Sequence, residues 1–146
     1  MIGHPVSRSR SPGLHGALFA AHDLDAVYLC FDVSPERAAG IVPAVRTLGL
    51  AGANLTVPFK ERVRAQLDGL TPAAERAGSV NVLAWEGGAL IGDNTDGAGL
   101  IDAVKEAGAA VEGHALVLGA GGTARAVGAA LLDAGAASVT LLNRTL

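Results

Sequence analysis

HALVLGAGGTARA, residues 114–126, begins with a short apolar run, Leu116-Val117-Leu118, that ends at glycine. Such a run predicts a fully buried strand of a parallel sheet. Gly119-Ala120-Gly121-Gly122-Thr123-Ala124 follows directly and opens a helical stretch with Val127 and Leu131 on one face. Strand, glycine turn and helix together are the setting in which a G-x-G-x-x-[GA] string becomes a dinucleotide-site expectation. Glycines let the backbone turn sharply and come close to a pyrophosphate. The free N–H groups at the helix start then face the anion, and the helix dipole favours negative charge there.

Ser138 to Leu142, SVTLL, reads as the next strand, and Asn143-Arg144-Thr145 follows it. An NAD site places an acidic residue near this point for the ribose 2′-hydroxyl, whereas an arginine suits a 2′-phosphate. The expected cofactor is therefore NADP. Gly119, Ala120, Gly121, Gly122, Thr123 and Ala124 would take the pyrophosphate, with Asn143, Arg144 and Thr145 around the 2′-phosphate. The plainer alternative is a tight strand–helix turn and a solvated surface arginine.

Of the 146 residues, 50% are hydrophobic, 17% charged and only 3% aromatic, so a core must be built from Ala, Val, Leu and Ile. A net charge of -3 without a basic run argues against nucleic acid as a partner. The single cysteine, Cys30, cannot form an internal disulfide and reads as a buried thiol. Neither a signal peptide nor an apolar run of bilayer length is present, which gives a cytoplasmic expectation with no membrane partner.

Met1 to Val6 reads as the end of a strand entering a loop. Ser11 as cap and Pro12 at the first helical position predict a helix to about Ala21. Val27 to Val33 reads as a strand, and Ser34-Pro35 starts a second helix that Gly49 ends. Ala51 to Thr56 is a strand broken at Pro58, Phe59 to Leu67 reads as a helix, and Thr71-Pro72 starts a short one. Ser79 to Trp85 and Ala89 to Gly92 form a hairpin around Glu86-Gly87-Gly88. Leu100, Ile101 and Val104 mark a further helix, closed by Gly108. Strands alternating with helices give an α/β fold with a mostly parallel sheet. The expected organisation is an α/β unit over 1–97, a linking helix over 98–109 and a dinucleotide unit over 110–146, with a site in the cleft between them.

Ser9, Ser11, Asn54, Thr56, Lys60, Asn81, Asn94 and Asp96 fall at strand ends and helix starts, where ligands of α/β sheets sit. Each also has a purely structural use: Ser11 and Asp96 as helix caps, Asn54 and Asn81 in satisfying turn backbone. Lys60 is one of two lysines set against nine arginines. Lysine, unlike arginine, can give up a proton in a desolvated site, so a proton donor and acceptor here would be lysine. His4, His15, His22 and His114 share no metal-ligand spacing, and His15 lies close to the serine loop. A Gly-x-Ser-x-Gly elbow is absent, which argues against serine hydrolase chemistry.

These motifs resemble those of the shikimate dehydrogenase family. The matching runs are Gly3-His4-Pro5, Ser9-Arg10-Ser11-Pro12 with His15, Asn54 to Lys60, Ser79-Val80-Asn81, Gly92 to Gly97, Gly119 to Ala126 and Asn143-Arg144-Thr145. The resemblance covers the whole chain. It implies an N-terminal substrate domain followed by the first β-α-β unit of a Rossmann-like domain. It implies hydride transfer between NADP(H) and 3-dehydroshikimate or shikimate, in aromatic amino acid biosynthesis. By the same resemblance Ser9 and Ser11 would hold the substrate carboxylate, and Thr56, Asn81, Asp96 and Lys60 would contact ring hydroxyls, with Asn54 beside them. Lys60 and Asp96 would be the acid–base pair. Family members run to nearly twice this length, so the chain is expected to be cut at both ends, with weak cofactor binding, a tendency to associate and a homodimer left open. The alternatives are a quinate/shikimate dehydrogenase using NAD or NADP, and a binding module for a shikimate-like ligand or a dinucleotide without turnover.

Overall fold

The computed structural model describes residues 1–144. Thr145, expected near the 2′-phosphate, lies outside the described residues. Among the described residues, eight short strands and five α-helices follow one another: β1 Ile2–Gly3, α1 Ser11–Ala21, β2 Phe31–Asp32, α2 Ile41–Thr47, β3 Gly52–Asn54, β4 Gly69–Leu70, α3 Pro72–Ala77, β5 Val82–Glu86, β6 Ala89–Asp93, α4 Asp96–Glu106, β7 His114–Leu118, α5 Gly122–Asp133 and β8 Ser138–Leu142. β1 and β2 pair in parallel, and a single parallel bridge from Ile2 to Leu55 joins them to the end of β3. β3 pairs antiparallel with β5, β5 and β6 form an antiparallel hairpin, and β4 adds in parallel to β6. β7 and β8 form a separate parallel pair. The α/β class is as expected, with parallel pairings outnumbering antiparallel ones.

Ile41, Val42 and Val45 on α2, with Leu55, Phe59, Val63, Val80, Leu83 and Leu90, form the hydrophobic core. Gly49 takes φ +61 after α2, and Gly87 and Gly88 take φ +57 and +87 in the hairpin turn. These are left-handed conformations that glycine adopts without a Cβ penalty.

Several local expectations are corrected. The helix expected over 59–67 is a series of tight turns ending in a 3-10 turn, Arg64–Gln66. Phe59 and Val63 are buried, but the Lys60 carbonyl accepts the Val80 N–H at 2.7 Å and is drawn towards the sheet. The strand expected over 27–33 is reduced to β2, because β1 offers it only two residues to pair with. Ser11 is the first helical residue rather than the cap; Arg10 precedes it, and the Ser9 hydroxyl accepts the Ser11 N–H at 3.2 Å. Asp96 likewise opens α4 rather than capping it, its N–H bound to Asn94 Oδ1 at 3.0 Å. Cys30 is half-buried, not buried.

β7 departs most from expectation. Leu116 is 62% exposed and Leu118 75% exposed, so the strand is not fully buried. α5 covers one face of the β7–β8 pair, and among the described residues nothing covers the other. α5 also packs on α3 and α4, which fixes the glycine turn against the first unit. Arg76 on α3 grips Asp133 on α5 through two hydrogen bonds, at 2.6 and 3.0 Å. Arg125 donates from Nε to the Ala77 carbonyl at 2.9 Å and pairs with Glu61 at 2.8 Å. Such exposed pairs contribute little singly, but they hold the same helix near both of its ends.

Candidate active site

Lys60 follows the turn after β3, and Asp96 begins α4. The sheet brings them together across 36 residues: Lys60 Nζ donates to Asp96 Oδ2 at 2.5 Å. Their side chains are 17% and 18% exposed. Asn81, just before β5, donates from Nδ2 to Asp96 Oδ1 at 2.7 Å. Its Oδ1 accepts the Thr95 N–H at 2.9 Å, so the Asn81 side chain both satisfies backbone and holds the carboxylate. Burial opposes ionisation of Asp96. The hydrogen bonds from Lys60, Thr123 and Asn81, with the lysine charge, outweigh it and hold the carboxyl below its ordinary value.

Asn94 is buried beneath this pair. Its Nδ2 donates to the Ser79 carbonyl at 3.0 Å and to the Ser79 hydroxyl at 2.9 Å. With Asn94 Oδ1 on the Asp96 N–H, the residue fixes where α4 begins and therefore where Asp96 stands.

A cleft of about 220 Å³ opens in front of the pair. Ser11, Asn54, Thr56, Lys60, Asn81 and Asp96, all expected from the sequence, line it. Ser9 is not in its wall; its hydroxyl sits behind Ser11 and donates to Met1 Sδ at 3.4 Å. Tyr28 is a wall residue that sequence reasoning missed. Its hydroxyl donates to Asn54 Oδ1 at 2.7 Å, and its ring stacks on His15 with centroids 4.1 Å apart. It is the one tyrosine of a chain poor in aromatics, and that was the available signal. Burial raises the Tyr28 hydroxyl above its ordinary value, so it remains a donor.

A second cleft, of about 670 Å³, lies on the other side of Lys60, lined by Gly119, Gly121, Gly122, Thr123 and Ala124 together with Val57 and Pro58. Gly119 takes φ +113, and a Cβ at Gly119 or Gly121 would meet no atom within 4 Å. The backbone is thus bare towards the cleft at the start of α5, as a pyrophosphate cradle requires. The Gly119 N–H donates to the Leu142 carbonyl at 2.7 Å, which brings the end of β8, and so Asn143 and exposed Arg144, alongside the glycine turn. These residues fit a dinucleotide. Among the described residues, no group of three or more His, Cys, Asp or Glu side chains is gathered as a metal site.

The small polar cleft and the glycine-lined cleft thus share one lysine as a wall of an α/β fold. Its family is also evident: the chain belongs to the family of the shikimate dehydrogenase substrate binding domain, whose model matches residues 1–83. Similar proteins include the shikimate dehydrogenase (NADP(+)) of Symbiobacterium thermophilum, 47% identical over 146 residues, covering 99% of this chain and 50% of the relative. That of Rubrobacter xylanophilus is 50% identical over 147 residues, covering 99% and 52%. Among solved structures, shikimate 5-dehydrogenase from Thermus thermophilus in complex with NADP(H) and shikimate superposes with a TM-score of 0.91 at 42% identity, covering 99% of this chain and 54% of that one. The chain spans about half the length of the curated relatives it matches.

Proposed function

We propose that this chain carries the substrate cleft and the acid–base pair of an oxidoreductase that interconverts 3-dehydroshikimate and shikimate with NADP(H). The supporting observation is that Lys60, bonded to Asp96, is the wall shared by the polar cleft and the glycine-lined cleft. In this reading the units are 1–97 for substrate, 98–109 as link and 110–146 for the dinucleotide, acting in the cytoplasm.

Bound NADP(H) would supply or accept the hydride. Gly119 to Ala124 would hold its pyrophosphate on backbone N–H groups, with Asn143 and Arg144 at the 2′-phosphate. The chain's own part is positioning and proton transfer. Ser11, with Ser9 behind it, holds the substrate carboxylate, while Asn54, Thr56 and Asn81 face its hydroxyls. When the ring carbonyl is reduced, negative charge grows on oxygen. The Lys60 ammonium stabilises that charge and gives the oxygen its proton; in oxidation Lys60 takes the proton back. Asp96, kept ionised, orients Lys60 and the hydroxyl.

The test is shikimate-dependent reduction of NADP by this sequence extended to the relatives' length, beside Lys60→Ala. The expected result is turnover that falls by about 10²–10⁴-fold in the variant, the usual worth of a positioned acid–base group. Turnover unchanged in Lys60→Ala would remove the proposed role of Lys60. Absence of turnover in the extended wild type, with shikimate still bound, would favour the second reading, a ligand-binding module. The uncovered face of β7 favours that second reading for the 146-residue chain itself.

A further inference from the structure

A pyrophosphate cradle asks only for backbone N–H groups and the absence of side chains. Thr123, the second residue of α5, nevertheless sends its hydroxyl away from that task. It donates to Asp96 Oδ2 at 2.8 Å and accepts from Lys60 Nζ at 3.0 Å. With the Lys60–Asp96 bond at 2.5 Å, the three side chains close a triangle. A hydroxyl is suited to this corner because it can donate to a carboxylate and accept from an ammonium at once. Threonine's branched Cβ also limits the rotamers from which the hydroxyl can leave it.

We propose that Thr123 is a positioning residue for the Lys60–Asp96 pair, so that the glycine turn fixes the proton-transferring groups of the neighbouring cleft as well as forming its own. The proposal rests on the functional reading above for the role of that pair. Thr123 reaches the pair because α5 is anchored: a Cβ on Gly122 would fall 2.6 Å from the Ser79 Cβ, and Arg125 ties the next turn to Ala77 and Glu61. Lys60 is the charged group facing Asp96, since nearby Glu61 is engaged by Arg125. The Thr123 bond is among the contacts that keep the Asp96 carboxyl low.

The experiment is a carbon-13 NMR titration of the Asp96 carboxyl in the wild-type chain, Thr123→Val and Thr123→Ser, with shikimate affinity measured by calorimetry on each. Valine keeps the shape and removes the hydroxyl; serine keeps the hydroxyl. The expected result is a titration moved to higher pH in Thr123→Val, with shikimate bound about tenfold more weakly, and both properties near wild type in Thr123→Ser. An Asp96 titration in Thr123→Val that matches wild type overturns the proposal. So does a Thr123→Ser titration displaced as far as that of valine, because the methyl group and not the hydroxyl would then be at work. If no chain binds shikimate, the substrate reading fails while the titration still decides the role of Thr123.

Discussion

Gly97 on α4 rests directly on the backbone of Ala126 on α5: a Cβ at position 97 would lie 2.6 Å from the Ala126 carbonyl oxygen and 2.8 Å from the Ala130 Cβ. The first helical turn behind Asp96 therefore sets how closely α4 and α5 approach. Gly97→Ala must push α5 away, at a cost of about 1–3 kcal/mol typical of overpacking. A urea midpoint equal to wild type would show that the helices do not meet this closely.

Asn94 makes its hydrogen bonds out of water. Asn94→Ala leaves the Ser79 carbonyl and the Asp96 N–H without these partners, and loss of buried partners costs about 1–3 kcal/mol. The expected outcome is a lower thermal midpoint together with weaker shikimate binding, because Asp96 loses its anchor. A stability loss with full affinity would mean that Lys60, Asn81 and Thr123 place Asp96 without help from Asn94.

Asp96 also sets a pH dependence. Its folded carboxyl lies below its ordinary value, so its contribution to stability is fully present above that ordinary value and is lost as the pH falls through the lower, folded one. Thermal midpoints measured from about pH 6 downward should fall more steeply for wild type than for Asp96→Asn, which has no carboxyl to protonate. Parallel curves would mean that the carboxyl titrates alike in folded and unfolded chains.

Exposed Leu116 and Leu118, with exposed Leu142 on β8, give the β7–β8 pair a face of leucines that is uncovered among the described residues, with strand edges unpaired among those residues. Such features promote association. Sedimentation of the 146-residue chain should show concentration-dependent association that Leu116→Lys with Leu118→Lys reduces. An unchanged distribution in that double variant would place the contact elsewhere.

The features legible in the sequence were those written in neighbouring residues. The glycine turn at 119–122, the Thr71-Pro72 helix start and the Gly87-Gly88 turn are each set by backbone chemistry within a few positions, and each is where it was expected. The cleft-lining set was legible because strand ends collect ligand-facing residues, so Ser11, Asn54, Thr56, Lys60, Asn81 and Asp96 converge. What was missed depends on distant partners. The segment after Phe59 is shaped by Val80, and Tyr28 matters through Asn54, 26 positions away. The exposure of Leu118 could not be read from its apolar neighbours, because burial is decided by what packs on top. The Thr123 hydroxyl is illegible for the same reason: its partners, Lys60 and Asp96, lie 63 and 27 positions away.

Lys60 borders both clefts, and this makes the two chambers thermodynamic neighbours. Whatever occupies one changes the field and the room available to a single ammonium, and so changes the welcome given to the occupant of the other. Reciprocity then requires that if the first ligand sharpens affinity for the second by some factor, the second sharpens affinity for the first by the same factor. Order of arrival is consequently free to vary with concentration, while the mutual effect passes through Lys60 and the Thr123–Asp96 bond beside it.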